Sequence, residues 1–343
     1  NSISLDLRPI TRFYQRFQVS AVGQDSVDIT DPQYNPDFAS SKDYLIFVHG
    51  FNMDTNAVKY WPETIYKRLW WQGYMGQVGI FEWPNEMVSL NVHCYDNSEY
   101  NAWRCGAALL KILDQLNSVG HAGQIRIMAH SQGNIVVGEA LRNAKNIIAQ
   151  AYIASQAASA SDLYCAGLEQ NPNSYGARFP STPNILDNYP GSDMPYFKRI
   201  SQHVESGKMY NYYNKYDWAL HSMVFSWEMD NAWKPDDPYY DYHEEDGDIN
   251  TYQSWSPEYF FCSFMGFRSM AFPQDRFEIF SFAAEARSYA LGTCAVLGFN
   301  NYDLQSMMNY NALHYAHSRQ FLSNIADEWP YWKEVMRDCL FIK

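Results

Sequence analysis

The sequence is poor in basic residues and in long apolar runs, and each shortage excludes a class of protein. Lys and Arg number 25 against 38 Asp and Glu, giving a formal net charge of −13. A protein that binds nucleic-acid phosphates needs a basic surface, which this composition does not favour. No run approaches the roughly 20 apolar residues that cross a bilayer. We therefore expect no nucleic-acid partner and no transmembrane segment.

Cysteine is also scarce, and its spacing argues against a metal site. No CxxC pair occurs, and no Cys/His run has zinc-finger spacing, so we expect no structural zinc. The even number of cysteines permits disulfides without requiring any. The six are Cys94, Cys105, Cys165, Cys262, Cys294 and Cys339.

Apolar residues, in contrast, are plentiful enough for a large core. The 343 residues are 47% hydrophobic and 17% aromatic, which excludes global disorder. This length suits a single large domain over 1–343 with insertions. The abundance of Tyr and Trp, the few lysines and a first residue that is not Met together favour an extracytoplasmic location.

Short apolar runs alternate with longer amphipathic stretches from residue 44 to 154. This order predicts an α/β fold, with a mostly parallel central sheet flanked by helices. The stretch 13–19 alternates apolar and polar residues, which predicts a half-buried antiparallel strand. We expect the last core strands at 208–213 and 277–282. The other predicted strands are 44–48, 78–83, 125–129 and 150–154, and the predicted helices include 56–71 and 101–117.

Two segments break this rhythm and are predicted to be insertions. Residues 157–206 are rich in Ser, Asn, Pro and Gly, and we expect an irregular excursion there. Residues 228–276 are aromatic and strongly acidic, with eleven carboxylates and two basic residues up to position 275. This second segment is either a cap over a cleft or a solvated surface domain. Its run 244–248 lacks EF-hand spacing, so we interpret it as an exposed acidic loop and predict no metal site.

One pentapeptide carries the strongest chemical signal. Ala129-His130-Ser131-Gln132-Gly133 lies between a predicted strand and a predicted helix. A nucleophile on so sharp a turn adopts strained backbone angles, so the residues two positions away must be small. The first amides and the dipole of the following helix favour a developing oxyanion.

With this motif the chain resembles the α/β-hydrolase superfamily, and bacterial serine lipases and esterases in particular. It departs from the usual G-x-S-x-G pattern only by having Ala129 at the first glycine. His49-Gly50 follows a strand about 80 residues earlier, where the superfamily has a turn that supplies an oxyanion amide. The resemblance thus implies that Ser131 is the nucleophile, and that the amides of Phe51 and Gln132 form the oxyanion hole.

The resemblance also implies the chain order nucleophile, acid, histidine, with each residue on a loop after a strand. His317 and His314 both follow the last predicted strand. We choose His317 as the base, because the stretch that follows it resembles a loop opening into a helix, and His314 is the alternative. For the acid we choose Asp217, a few residues after a predicted strand, and Asp162 is the alternative.

These residues predict a serine hydrolase that cleaves carboxylic esters through a covalent acyl-enzyme and needs no cofactor. The substrate would be a small-molecule, lipid or polyester ester. An acyltransferase or a thioesterase could use the same triad. A hypothesis of another class is a non-catalytic extracellular binding module on a hydrolase fold. The sequence predicts neither the substrate-binding residues nor the oligomeric state.

Overall fold

A computed structural model describes the strands and helices of the core. It covers residues 14–19, 27–28, 43–87, 94–121, 123–159, 200–214, 217, 220, 291–293, 295–308, 317–322 and 325–339. Within these ranges, no helix is long and apolar enough to cross a membrane.

Eight strands form one sheet in the order β2-β1-β4-β3-β5-β6-β7-β8. Every neighbouring pair is parallel except β1 and β2, which pair antiparallel at the edge. Parallel strands place their carboxyl ends at the same edge of a sheet, where ligand sites of α/β proteins form. The strands are β1 Tyr14–Val19, β2 Val27–Asp28, β3 Tyr44–Val48, β4 Gln77–Glu82, β5 Ile125–His130, β6 Ala151–Ser155, β7 Met209–Tyr213 and β8 Asn300–Asp303.

Helices cover both faces of this sheet. They are α1 Ala57–Trp71, α2 Cys94–Leu116, α3 Gly133–Asn143, α4 Leu304–Met307, α5 Arg319–Leu322 and α6 Ile325–Asp338. Strand β3 shows the layering, since all five of its residues are buried. Ile46 and Val48 belong to one apolar cluster with α2 and α3. Leu45 and Phe47 belong to a second cluster with α1 and α6. A strand covered on both faces is continuously apolar, as the sequence predicted.

The α/β prediction is confirmed, and the antiparallel pairing predicted for the first strand is present on one side of β1, toward β2, but not on the other. β1 pairs in parallel with β4, with Phe17 opposite Phe81. Its alternation arises because one side is exposed: Phe17 and Val19 are buried, whereas Gln18 is exposed. Alternating burial identifies a half-covered strand near a sheet edge, and it carries no information about strand direction.

The end of the sheet also differs from prediction. β7 confirms the strand expected at 208–213, whereas 277–282 lies outside the described residues. Strand β8 was missed because its sequence, NNYD, is short and polar, and its four residues are exposed or half-buried. Most of 157–206 and all of 228–276 also lie outside the described residues, so the cap remains a prediction.

An ion pair joins two distant helices on one face of the sheet. Arg68 in α1 donates from Nε to Oε2 of Glu328 in α6 at 2.6 Å. The Glu328 side chain is fully buried and that of Arg68 is 15% exposed. Removing one partner of such a pair leaves an uncompensated charge in the interior. The pair therefore holds α6 against α1.

We expect Arg68→Met to lower the free energy of unfolding by about 3 kcal/mol, because the Glu328 carboxylate would remain buried without its cation. The adjacent Lys67 is the control, since its side chain is 54% exposed and 3.8 Å from Glu63. Lys67→Met should cost less than about 1 kcal/mol. Urea denaturation measures both values. Equal losses would contradict the role assigned to the buried pair.

Candidate active site

Ser131 occupies a sharp bend between β5 and α3. Its φ is +51°, a region that non-glycine residues rarely adopt. The bend requires small neighbours. A Cβ on Gly50 would lie 2.7 Å from the Ser131 Cβ, and one on Gly133 would lie 2.5 Å from the carbonyl oxygens of Val48 and His49. The requirement for a small residue at position 133 therefore comes from contact with the end of β3.

The carbonyl group of Ser131 holds this bend in place. Its oxygen accepts from the backbone N–H of Asn134 at 3.1 Å and of Ala158 at 3.1 Å. The Asn134 side-chain amide donates to the same oxygen at 2.9 Å. The Asn134 amide is itself oriented by the Tyr152 hydroxyl, which donates to Asn134 Oδ1 at 2.9 Å. Strained backbone persists only where its surroundings determine it, and these donors do so here.

The His49-Gly50 turn is fixed by Trp83 of the neighbouring chain segment. The two rings stack with centroids 5.3 Å apart and an interplanar angle of 7°. Trp83 donates its backbone N–H to Nε2 of His49 and its indole N–H to the His49 carbonyl. The Nδ1–H of His49 therefore donates to the Gly50 carbonyl. Burial lowers the pKa of His49 to about 4, so the ring is neutral at neutral pH.

Asp217 and His317, separated by 100 residues in the chain, meet in a direct hydrogen bond. His317 Nδ1 lies 2.6 Å from Asp217 Oδ2, and the Asp217 side chain is fully buried while that of His317 is 13% exposed. A carboxylate oxygen only accepts, so the Nδ1 of His317 carries the proton. The lone pair of the neutral ring is then on Nε2, the tautomer that a general base requires.

His130 connects this pair to the bend that carries Ser131. Its Nε2–H donates to the His317 carbonyl at 2.9 Å, and the two rings are 4.6 Å apart between centroids. Trp61 and Phe321 pack against the His130 ring. Burial, followed by the neighbouring His317, lowers the pKa of His130 well below its ordinary value. His130 is therefore a neutral donor that fixes the backbone of His317 beside the bend.

The structure thus brings several predicted residues together. The turn that contains Phe51 packs on Ser131 through Gly50. Gln132, fully buried, directly precedes α3, and its Oε1 accepts from the Ser98 hydroxyl at 2.8 Å. The alternatives Asp162 and His314 lie outside the described residues. Among the described residues, no group of three His, Cys, Asp or Glu side chains is placed to hold a metal ion.

Comparisons with known proteins agree with this architecture. A family model described as alpha/beta hydrolase of unknown function (DUF900) matches residues 35–166, a range that includes the His49-Gly50 turn and Ser131. The chain has the α/β-hydrolase fold. The resemblance predicted from the pentapeptide is confirmed, and the match supports a hydrolase.

One solved structure is similar to this chain only at low sequence identity. Phospholipase PlaB from Legionella pneumophila is 14% identical, with a TM-score of 0.21. The match covers 49% of this chain and 33% of the phospholipase. No curated protein sequence matches.

Three polar residues of this candidate site had no predicted role. Asn134 follows Ser131 by three residues in the first turn of a helix, and such a side chain commonly bonds nearby backbone, so that contact had a local signal. His130 bonds to a residue 187 positions later in the chain, His317, so no local pattern indicates that contact. Gln156, which donates to Asp217, likewise has no signal in the sequence around it.

The buried His49 gives the α/β-hydrolase core a defined acid sensitivity. An unfolded histidine titrates near pH 6.5, whereas the native pKa is about 4. As the pH falls, the unfolded state binds the proton first. His49 therefore lowers native stability between about pH 6.5 and 4, by about 1.4 kcal/mol per pH unit.

We expect the free energy of unfolding to fall less steeply with acid in His49→Gln than in the wild type. His130 contributes a slope of the same sign to both proteins, so most of the difference between them comes from His49. Urea denaturation from about pH 7.5 to 4.5 measures both slopes. Parallel slopes would show that His49 titrates alike in the folded and unfolded states.

Proposed function

We propose that the chain is a serine hydrolase that cleaves carboxylic esters through a covalent acyl-enzyme. Ser131 is the nucleophile, His317 the general base and Asp217 the acid that orients it. One observation carries the proposal. The 2.6 Å hydrogen bond between Asp217 and His317 lies at the strand end that also carries Ser131, and His130 joins the two through its bond to the His317 carbonyl.

The proposed chemistry follows from the protonation states at the site. Nε2 of His317 takes the proton of the Ser131 hydroxyl while Oγ attacks the carbonyl carbon of the ester. Asp217 accepts from Nδ1–H and stabilises the imidazolium that forms. The proton then passes to the leaving alkoxide, and an alcohol departs. In the second half, His317 removes a proton from water, whose oxygen attacks the acyl carbon. The bond between that carbon and Ser131 Oγ then breaks, His317 returns the proton to Oγ, and the carboxylic acid is released.

The oxyanion of each tetrahedral intermediate would be stabilised by backbone amides. Gln132 precedes the first turn of α3, so its amide lies at the positive end of a helix dipole. Phe51 follows Gly50, whose missing Cβ lets the turn approach Ser131 closely. Amides held on a rigid bend need little reorganisation as charge develops, which is the condition for effective oxyanion stabilisation. The substrate class we propose is a small-molecule, lipid or polyester ester, with no cofactor.

We expect a fluorophosphonate probe to label the wild type and not Ser131→Ala. Oγ would form a bond to phosphorus, fluoride would leave, and His317 would take the proton. The control is Ser118→Ala, because Ser118 is an exposed serine that donates to Gln115. It should be labelled like the wild type, as seen by gel fluorescence and intact mass. A wild type that resists labelling would refute the proposal.

Replacement of the base distinguishes the two candidate histidines. We expect His317→Ala to lower kcat for p-nitrophenyl esters at least about 10³-fold with little change in KM, since the loss falls on the transition state. The variant should still fold, which circular dichroism checks, but its melting temperature should fall because the buried Asp217 carboxylate loses the bond to His317. His314→Ala should retain wild-type turnover. The reverse result would transfer the role of base to His314.

A further inference from the structure

Gln156 lies directly after β6 in a constrained conformation. Its φ is +42° and it is fully buried. Its backbone N–H donates to the Tyr212 carbonyl at 2.8 Å. On its other side, a Cβ on Gly292 would lie 2.4 Å from the Gln156 carbonyl carbon and 2.6 Å from its Cα. The Gln156 backbone is therefore held on two sides, by Tyr212 and by Gly292, and this fixes the position of its Cα.

The Gln156 side chain ends on the carboxylate of Asp217. Its Nε2 donates to Oδ2 at 2.5 Å, and Oδ2 is also the oxygen that faces Nδ1 of His317 at 2.6 Å. One carboxylate oxygen thus accepts from an amide and from an imidazole. Because both Gln156 and Asp217 are fully buried, bulk water cannot take the place of the amide.

The segment that carries Asp217 is anchored independently of this bond. The Asp217 N–H donates to the Asn214 carbonyl at 3.0 Å, and the Asn214 N–H donates to the Gly292 carbonyl at 2.8 Å. The Asn214 side chain accepts from Gln305 at 2.7 Å. Loss of the Gln156 amide would therefore leave the backbone in place and change the direction and charge of the carboxylate.

We infer that Gln156 is a positioning residue for the acid, one that aims Oδ2 of Asp217 at His317 and shares the charge on that oxygen. The inference rests on the proposed function. A rare backbone conformation in a non-glycine residue indicates strain maintained by its surroundings. Here the strained residue, Gln156, orients the buried Asp217 carboxylate, although it is not itself one of the three proposed catalytic residues.

Removing the amide has two consequences with a definite sign. Oδ2 loses the Gln156 donor, so the carboxylate is less well oriented and activity at the pH plateau falls. The charge that Gln156 shared becomes available to the imidazole, and a less compensated anion holds the imidazolium more tightly. The base must lose that proton to act, so the acid limb of the pH profile moves to higher pH.

The test is the second-order rate constant of fluorophosphonate labelling as a function of pH, for the wild type, Gln156→Met and Gln156→Asn. Met keeps an unbranched chain without a donor. Asn keeps an amide that is one methylene too short, and it tolerates positive φ better than most residues. We expect the plateau to fall about tenfold in both variants, and the acid limb to rise by about half a pH unit.

The matched control is Gln320→Met. Gln320 is also a fully buried glutamine, but its Nε2 donates to the Ser155 hydroxyl at 3.0 Å. The same substitution removes a buried amide bond, and the acid limb should stay at its wild-type position.

Each outcome decides between the hypotheses. A wild type that is not labelled at any pH refutes the proposed function, and the role of Gln156 falls with it. A labelled wild type with unshifted limbs in both folded Gln156 variants refutes the positioning role alone. An equal shift in Gln320→Met, or failure of both Gln156 variants to fold, would assign Gln156 a structural role only.

Discussion

The carbonyl oxygen of Ser131 accepts three hydrogen bonds, and the geometry of the site depends on them. Asn134 supplies two of the donors and Ala158 the third. Asn134 belongs to the first turn of α3, whereas Ala158 belongs to the segment after β6, so the bend is fixed to two elements at once. These hydrogen bonds offset the conformational cost of the positive φ at Ser131. Without them, the Ser131 hydroxyl would have no fixed position relative to the amides that we propose for the oxyanion hole.

Two neutral histidines, His49 and His130, lie beside this bend. His49 and His130 are both buried, and burial lowers the pKa of each. Each ring therefore has one N–H and one nitrogen lone pair. His49 donates to the Gly50 carbonyl and accepts from the Trp83 backbone N–H. His130 donates to the His317 carbonyl. Both rings are therefore fixed dipoles without net charge. Protonation of either ring would place a positive charge close to His317, the proposed base.

The part of the fold that could be predicted from the sequence is the part governed by periodicity. Continuous apolar runs identify β3, β5 and β6 because those strands are covered on both faces. The pentapeptide around Ser131 could be identified because a tight bend restricts residue size locally. In contrast, β8 has a polar sequence at one end of the sheet, and the parallel pairing of β1 with β4 depends on a strand far along the chain. Neither feature had a local signal.

Chain order selected two residues of the candidate site that the structure places in contact, whereas partners that meet only through tertiary structure had no signal in the sequence. The hydrogen bond between Asp217 and His317 joins two residues that had been selected from order along the chain. The contacts of Gln156 and His130 depend on how separate loops meet at one edge of the sheet. No spacing rule relates residue 156 to 217, or residue 130 to 317, so such partners become visible only in three dimensions.

The long-range bonds at this edge have a consequence for assembly. The bend is made by residues 125–143, but its histidine partner arrives 187 residues after His130, beside the short helix α5. Contacts between residues so far apart in the chain form late, because the entropy of loop closure is lost before the contact can stabilise the chain. Strands β1 to β6 could therefore pair before residues 317–322 dock against the bend. Under the proposed function, the base would reach Ser131 only at that late step, so activity would appear when folding is nearly complete.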